Sequence, residues 1–264
     1  GDNLRQSLGQ LPLSRQLVTI KTDVELEVTP KDLRQSTPDD DRLRALFSRL
    51  EFKTWLSELG GTNSVDTHSP EVDYTIILDE KSLRQWIKRL SKAGVFSLDT
   101  ETTSLDTLCA ELVGISFTDR AGEGAYLPLA HDYVGAPLQV SLDYALTCLR
   151  PLLEDPKIGK IGQNLKYDRS VLQNYGIDLK GIRFDTMLES YVLNSTGSRH
   201  DLSTLALKYL GYKVVKYEEV AGSGKSRVSF SQVDVEQAGH YAAEDADIAM
   251  RLHEKIYPQL QAEP

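Results

Sequence analysis

The stretch Val95-Phe96-Ser97-Leu98-Asp99-Thr100-Glu101 predicts a largely apolar strand that carries two carboxylates at its end. Successive side chains of a strand point to opposite faces, so Asp99 and Glu101 are predicted to share one face. A carboxylate that faces inward costs free energy unless a cation or a hydrogen-bond donor meets it. This strand end is therefore a candidate site rather than an ordinary stretch of surface.

Around this strand the sequence reads as an α/β domain. Further strands are predicted at 74–78, 112–118, 124–129 and 158–162, and helices at about 142–153, 185–193 and 201–210. Strands that alternate with helices in this way favour a mixed sheet with helices packed on its faces. The predicted fold class is α/β, with a small and mostly helical segment before the domain.

Two further carboxylates lie on predicted helices. In Asn164-Leu165-Lys166-Tyr167-Asp168, the acid is in register with apolar residues one turn before and one turn after it. In Tyr241-Ala242-Ala243-Glu244-Asp245, the last residue follows the tyrosine by one turn on an apolar stripe. Helical spacing therefore predicts that Asp168, Tyr241 and Asp245 all point inward.

The chemistry that such a set of residues can perform is metal-dependent. Converging carboxylates repel one another, so the expected partner is a divalent cation. Four carboxylates can hold two Mg²⁺ ions about 4 Å apart, one activating water and the other stabilising the leaving oxygen of a phosphodiester. Mn²⁺ is expected to substitute for Mg²⁺. Tyr241 can orient the attacking water, and with an unperturbed pKa of about 10 it need not be the base.

Composition limits the class of protein. The formal net charge of −9 argues against a protein whose whole surface grips nucleic acid, although metal-binding carboxylates contribute to that charge. Cys109 and Cys148 stand far apart, which indicates neither a zinc site nor a disulfide framework. No apolar run predicts a membrane span or a secretory signal. A reducing, cytosolic setting is the default expectation.

The chain before the α/β domain has a different character. Residues 1–59 contain apolar stripes at helical spacing, and one predicted helix begins at Pro38-Asp39-Asp40. No group of polar residues in this segment indicates a functional site. Residues 60–73 have the composition of a linker. We therefore expect a small helical segment at 1–59, a linker at 60–73 and the α/β domain at 74–264. The first residue is not methionine, so a piece of a longer protein is expected.

Each motif is weak by itself, because a chain with 39 acidic residues produces such pairs by chance. The ordered set is more specific. Its order, Asp-x-Glu, Asn-x-x-x-Asp and Tyr-x-x-x-Asp, resembles that of the proofreading 3′→5′ exonucleases, which have four acidic residues and a tyrosine. Longer runs, over about residues 74–264, resemble the proofreading domain of the bacterial DNA polymerase I family. These runs are Gly162-Gln163-Asn164-Leu165-Lys166-Tyr167-Asp168, Phe184-Asp185-Thr186-Met187-Leu188-Glu189-Ser190-Tyr191 and Tyr241-Ala242-Ala243-Glu244-Asp245-Ala246-Asp247.

This resemblance implies an RNase H-like fold and a role for each matching residue. The positions that match metal ligands are Asp99, Glu101, Asp168 and Asp245. The position that matches the water-orienting tyrosine is Tyr241. The positions that match contacts with the terminal bases or the backbone of the frayed strand are Leu105, Gln163, Asn164, Tyr167 and Tyr217. The family often has phenylalanine at Tyr217, and core packing is the alternative explanation for Leu105 and Tyr217.

The resemblance also implies covalent partners. Residues 11–27 resemble the carboxyl end of the family's 5′-nuclease domain, so a 5′-nuclease domain would precede this chain and a polymerase domain would follow it. The glycine-rich stretch 222–226 lacks the first glycine that a phosphate-binding loop requires, since Glu219 occupies that position. It is expected to be a loop whose Lys225 and Arg227 contact DNA.

The implied function is metal-dependent removal of nucleotides from the 3′ end of single-stranded or frayed DNA, within a polymerase used in replication and repair. The implied location is the bacterial cytoplasm, at the nucleoid. Two alternatives stay open: a non-catalytic DNA-binding or spacer module, and an exonuclease that trims RNA with the same ligands. Cleavage that is lost on Asp99→Ala would exclude the first, and relative rates on DNA and RNA would test the second.

Overall fold

The computed structural model describes residues 72–196 and 199–262, together with residues 5, 7–25, 27, 29, 33, 37–50, 52, 55, 56 and 59. The chain divides into two units, Gly1–Val65 and Asp66–Pro264. The linker predicted at 60–73 lies outside the described residues except for its last two positions.

The first unit contains short helices. Those that the structure describes in full include a 3₁₀ turn at Leu8–Gln10, α1 (Leu11–Val18) and α2 (Asp40–Arg49). Helix α2 begins where the sequence predicts, because Asp39 Oδ1 accepts a hydrogen bond from the backbone N–H of Arg42 at 3.0 Å. The rings of Phe47, Phe52 and Trp55 contact one another, with centroids between 4.8 and 6.1 Å apart.

The second unit is built on a six-stranded sheet. Its strands are β1 (Asp73–Ile76), β2 (Val95–Thr102), β3 (Leu112–Arg120), β4 (Glu123–Pro128), β5 (Gly159–Gly162) and β6 (Ile182–Asp185). The spatial order is β1-β4-β3-β2-β5-β6. Strand β3 is antiparallel to both of its neighbours, whereas β1 pairs with β4, β2 with β5 and β5 with β6 in parallel. The strand predicted at 95–101 is thus an interior strand of a mixed sheet.

Helices cover the sheet. They are α3 (Glu80–Ala93), α4 (Leu142–Leu153), α5 (Leu165–Asn174), α6 (Thr186–Leu193), α7 (Leu202–Leu205, continued by a π-helical turn at Ala206–Leu210), α8 (Tyr217–Ala221) and α9 (Val235–Ala262). The α/β architecture and the small helical segment before it are as predicted. Among the described residues, none of the helices combines the length and the apolar character that a membrane crossing requires.

Strand β2 separates two apolar layers because its side chains alternate. Phe96 and Leu98 belong to a cluster that also contains side chains of α3, α4 and α5. A second cluster joins Tyr126 of β4 to Ala238 and Ala242 of α9. Helix α9 contacts strands β1 to β5. The β2 side chains that alternate with Phe96 and Leu98 therefore face the layer of α9.

Candidate active site

Three carboxylates converge between β2 and α9. Asp99 and Glu101 lie on the β2 face that is turned towards α9, and Asp245 lies on α9. One carboxylate oxygen from each of the three lies within 4.8 Å of the others. Glu101 is buried, whereas Asp99 and Asp245 keep part of their surface exposed. The cluster is therefore enclosed on the side of the sheet and open to solvent on the other.

The fourth carboxylate comes from the opposite layer. Asp168 lies on the first turn of α5 and is 2 % exposed. Its Oδ1 accepts hydrogen bonds from the Thr100 backbone N–H at 2.9 Å and from the Thr100 hydroxyl at 2.7 Å. Thr100 stands between Asp99 and Glu101, so it links Asp168 directly to the strand that carries this pair.

An unusual backbone conformation precedes α5. Asn164 has a φ of +61° and is the only residue other than glycine with positive φ in the described part of the chain. The backbone N–H of Asn164 donates to Asp185 Oδ1 at 3.1 Å, and that of Leu165 donates to Asp185 Oδ2 at 2.8 Å. Because a left-handed conformation is costly for a residue with a side chain, these two bonds help to hold the turn that positions Asp168.

Burial raises the pKa of all four carboxyl groups. Burial is the largest cause at each of them, and at Asp99 the charges of the other three carboxylates add to it. The pKa rises to about 7 at Asp168 and to about 8 at Asp245. A divalent cation among these oxygens would favour the ionised forms and so reverse the shifts.

Tyr241 lies one turn before Asp245 on α9, and its hydroxyl lies near that carboxylate. Burial, followed by the nearby carboxylate charges, raises the pKa of Tyr241 far above its ordinary value. The phenol is therefore protonated at neutral pH and can orient a neighbouring group, but it cannot act as a general base. Its ring contacts those of Tyr217 and Phe230, with centroids 6.3 and 5.9 Å away.

The carboxylates lie in a cleft of about 470 Å³. All positions that match the family's contacts with the frayed strand also line this cleft, and they are Leu105, Gln163, Asn164, Tyr167 and Tyr217. Leu105 is 85 % exposed, so core packing does not explain it. Tyr217 is partly buried, because it packs against the apolar cluster of α9.

Two of these polar side chains already have partners within the protein. The Gln163 amide donates to the His200 carbonyl oxygen at 2.7 Å and accepts from the Thr186 hydroxyl at 2.5 Å. The Tyr167 hydroxyl hydrogen bonds with that of Thr102. Gln163 thus holds the backbone at His200, and both the nitrogen and the oxygen of its amide have hydrogen-bond partners.

Comparison with protein families settles where the chain belongs. A sequence model of the 3′-5′ exonuclease family matches residues 74–261. The chain belongs to this 3′-5′ exonuclease family. The matched range contains strand β2 and all four carboxylates of the acidic cluster. The exonuclease assignment and the acidic cluster therefore describe the same part of the chain.

Curated relatives of this exonuclease domain carry the name DNA polymerase I. The chain is 48 % identical to DNA polymerase I of Pseudomonas aeruginosa over 272 residues, which is 99 % of this chain and 30 % of that protein. It is 43 % identical to DNA polymerase I of Rhizobium leguminosarum over 206 residues, which is 72 % of this chain and 20 % of that protein. The resemblance to the polymerase family is confirmed, and the chain spans less than a third of the length of these relatives.

Solved structures confirm the fold of the exonuclease domain. RNase D of Escherichia coli, an exoribonuclease involved in structured RNA processing, aligns with a TM-score of 0.53 at 20 % identity. The alignment covers 72 % of this chain and 46 % of that one. At this identity the likeness shows the fold alone, and the fold is the predicted RNase H-like one.

Several residues that line the exonuclease cleft, or that hold its elements in place, were not predicted from the sequence. Thr100 and Asp185 act through backbone and hydroxyl contacts that leave no pattern, although the position of Asp185 before α6 is a readable helix-cap signal. Glu218 lines the cleft and was not singled out. Of the two basic residues expected at DNA, Arg227 lines the cleft, and the side chain of Lys225 lies outside the described part of the structure.

Proposed function

We propose that this chain removes nucleotides from the 3′ end of single-stranded or frayed DNA, as the proofreading domain of a DNA polymerase. The observation that carries the proposal is one cleft that brings together the four candidate metal-binding carboxylates, Tyr241, Tyr217 and the exposed Leu105. Membership of the family supports the direction of hydrolysis. The name of the relatives, DNA polymerase I, supports DNA as the substrate.

The donor set fits divalent cations, because every candidate ligand is a carboxylate and Mg²⁺ and Mn²⁺ prefer oxygen. Asp99, Glu101 and Asp245 would hold one ion, since their oxygens lie within 4.8 Å of one another. Asp168 would hold a second ion together with Asp99. It would use its Oδ2, because both hydrogen bonds from Thr100 go to its Oδ1. When bound, the two ions would supply Lewis-acid activation of water and stabilise charge on the leaving oxygen.

Tyr241 would orient the attacking water. Its hydroxyl is protonated and lies near Asp245, at the edge of the carboxylate cluster. Its ring is held by contacts with Tyr217 and Phe230, which limit the directions in which the hydroxyl can point. A fixed donor of this kind aligns the lone pairs of a water molecule without taking its proton.

The terminal bases would lie between Leu105 and Tyr217. An aromatic ring stacks on any base for about 1–3 kcal/mol, which suits an enzyme that must accept whichever nucleotide is misplaced. Leu105 is exposed at the same cleft and offers an apolar edge against the neighbouring base. A base inside a duplex has both faces covered by its neighbours, so an unpaired 3′ end is the form that fits.

The longer protein would contain further domains on both sides of the exonuclease domain. Residues 1–59 would be the carboxyl tail of a 5′-nuclease domain, residues 60–73 a linker, and a polymerase domain would follow the exonuclease domain at 74–264. The support is the P. aeruginosa relative, of which this chain covers 30 % while 99 % of the chain is matched. Such a protein would work on chromosomal DNA in the bacterial cytoplasm.

The test is degradation of a 5′-labelled single-stranded DNA in Mg²⁺, with EDTA and with Asp99→Ala as negative controls. The matched variant is Asp178→Ala, which removes a surface carboxylate that pairs only with Arg169 and Lys180 among its described neighbours. We expect a ladder that shortens from the 3′ end with the unmodified chain and with Asp178→Ala, and intact DNA in both negative controls.

An RNA of the same sequence is the second substrate. Faster cleavage of the DNA supports the proposal, whereas faster cleavage of the RNA would replace it with an RNA-trimming activity. Intact DNA in every lane would leave a binding or spacer role.

A further inference from the structure

One basic side chain lies among the acids of the cleft. Of the described side chains that line it, Arg227 is the only lysine or arginine, while the acids are Asp99, Glu101, Asp168, Glu218 and Asp245. A cleft of this charge repels the phosphates of any strand that enters it. Cations held by the carboxylates would offset that repulsion at the scissile end, and Arg227 supplies a positive charge beside Tyr217.

The position of Arg227 is set by a loop that folds back on α8. The backbone N–H of Val228 donates to the Ala221 carbonyl oxygen at 2.8 Å, which joins the two ends of the loop. Gly222 has a φ of +74°, and a Cβ at this position would lie 2.7 Å from the Ser226 carbonyl oxygen. Only glycine therefore allows the tight return that brings Arg227 back to the first residue of α8, Tyr217.

The guanidinium of Arg227 lies over the ring of Tyr217, with its central carbon 5.0 Å from the ring centroid. This ring is the one expected to stack on a terminal base. The arginine side chain is exposed, so the cation–π contact is weak and the guanidinium can leave the ring at little cost. A guanidinium presents several N–H donors in one plane. Next to a stacking ring, it is placed to bind the phosphate of the nucleotide whose base stacks there.

We propose that Arg227 binds a backbone phosphate of the substrate strand, one that adjoins the base stacked on Tyr217, and so determines how tightly the single strand is held. This inference rests on the proposed function, because it takes the strand in the cleft to be a nucleic acid. Arg227 would act on binding, and the carboxylates on the chemical step. The alternative is a purely structural role, in which the arginine only covers the Tyr217 ring.

The test is equilibrium binding of a 5′-fluorescein-labelled oligothymidylate, followed by anisotropy over a range of salt concentrations. All variants carry Asp99→Ala, and EDTA is present, so that no cleavage occurs. Arg227→Ala and Arg227→Gln remove the charge, and Arg227→Lys keeps it. Arg120→Ala is the matched control, because it removes an exposed arginine at the end of β3 that does not line the cleft.

We expect both neutral variants to weaken binding roughly three- to tenfold at low salt and to lower the slope of log Kd against log salt by about 0.7, the value for one phosphate contact on a single strand. Arg227→Lys should keep the slope, and Arg120→Ala should match the parent. Neutral variants whose slope equals that of Arg120→Ala would overturn the proposal. A reduced slope of log Kd against log salt in Arg227→Lys would also overturn the proposal. This variant keeps the charge, so a reduced slope would indicate disturbed folding and not a lost phosphate contact.

Cleavage by otherwise unmodified chains separates this inference from the proposed function. With Arg227→Gln we expect KM to rise by the same factor as Kd, roughly three- to tenfold, with kcat within about twofold of the parent. A parent that cuts DNA while Arg227→Gln leaves KM unchanged refutes the inference alone. A parent that cuts no DNA refutes the proposed function, and the anisotropy titration then decides the role of Arg227 by itself.

Discussion

Thr100 is the residue through which β2 holds a carboxylate from the opposite layer of the domain. Its neighbours Asp99 and Glu101 face α9, while its own N–H and hydroxyl both donate to Asp168. Hydrogen bonds to a carboxylate are among the stronger ones in proteins, because the acceptor is ionised. A side chain without titratable chemistry therefore helps to set the distance between Asp168 and the other carboxylates.

Replacement of this hydroxyl tests that role. Thr100→Val keeps the shape of the side chain and the backbone bond to Asp168 but removes the hydroxyl bond. We expect kcat/KM on single-stranded DNA to fall by about tenfold to a hundredfold, since small misplacements of catalytic groups have effects of this size. The matched control is Thr147→Val on α4, whose exposed hydroxyl bonds only to the Asp143 carbonyl oxygen of its own helix among the bonds described. Equal rates for the two variants would show that Thr100 has no positioning role.

Neighbouring acidic residues of helix α9 have different partners in the domain. Asp245 faces the carboxylate cluster, whereas Glu244 accepts hydrogen bonds from the Tyr212 hydroxyl and the Val215 backbone N–H, both at 2.7 Å. Asp247 pairs with Arg251 on the same helix, at 2.7 Å. Neighbouring positions of a helix point about a quarter of a turn or more apart, so each acid meets a different part of the domain. Glu244 in this way ties α9 to the segment that leads into Tyr217.

Loss of the Glu244 carboxylate should therefore destabilise the domain. Glu244→Leu leaves the Val215 N–H without its acceptor, and we expect a loss of about 2–3 kcal/mol in the free energy of unfolding, measured with urea. The control is Glu254→Leu, an exposed position of the same helix, which should change stability by less than about 0.5 kcal/mol.

A second readout concerns the cleft. Because the loosened segment carries Tyr217, KM for single-stranded DNA should rise in Glu244→Leu and stay unchanged in Glu254→Leu. Similar unfolding curves for the two variants would show that the Glu244 bonds contribute nothing.

At the scale of the whole molecule, stability has a pH dependence that is unrelated to catalysis. Lys160 on β5 is buried, and its Nζ donates to the carbonyl oxygens of Asp155 and Ile158 at 2.8 and 2.9 Å. Burial lowers the pKa of Lys160 from 10.5 to about 8. Between these two values the unfolded chain binds more protons than the folded chain, so folding becomes more favourable as pH rises through this window.

Denaturation at several pH values measures this effect. We expect the contribution of Lys160 to the free energy of unfolding to increase from about pH 8 to pH 10.5, and Lys160→Met to lack that increase. Lys180→Met is the control, because Lys180 is half exposed, and it should keep the pH dependence of the parent. A parent and a Lys160→Met variant with parallel profiles would contradict the assignment.

The local periodicities were readable from the sequence. Alternation along 95–101 predicted that Asp99 and Glu101 share a face, and helical spacing predicted that Asp168 and Asp245 point inward. The described structure shows the same orientations. These predictions depend only on backbone geometry, which repeats every two residues in a strand and every 3.6 in a helix, so no knowledge of distant contacts was required.

Contacts between distant parts of the chain required the tertiary structure. The bond of Thr100 to Asp168 spans 68 positions, and that of Gln163 to the His200 carbonyl spans 37. The placement of Arg227 over Tyr217 depends on a loop closed by backbone bonds. Sequence determined which face of its own element each residue occupies, because that follows from local geometry. Only the packed fold decided which faces meet, since that depends on the burial of all the layers at once.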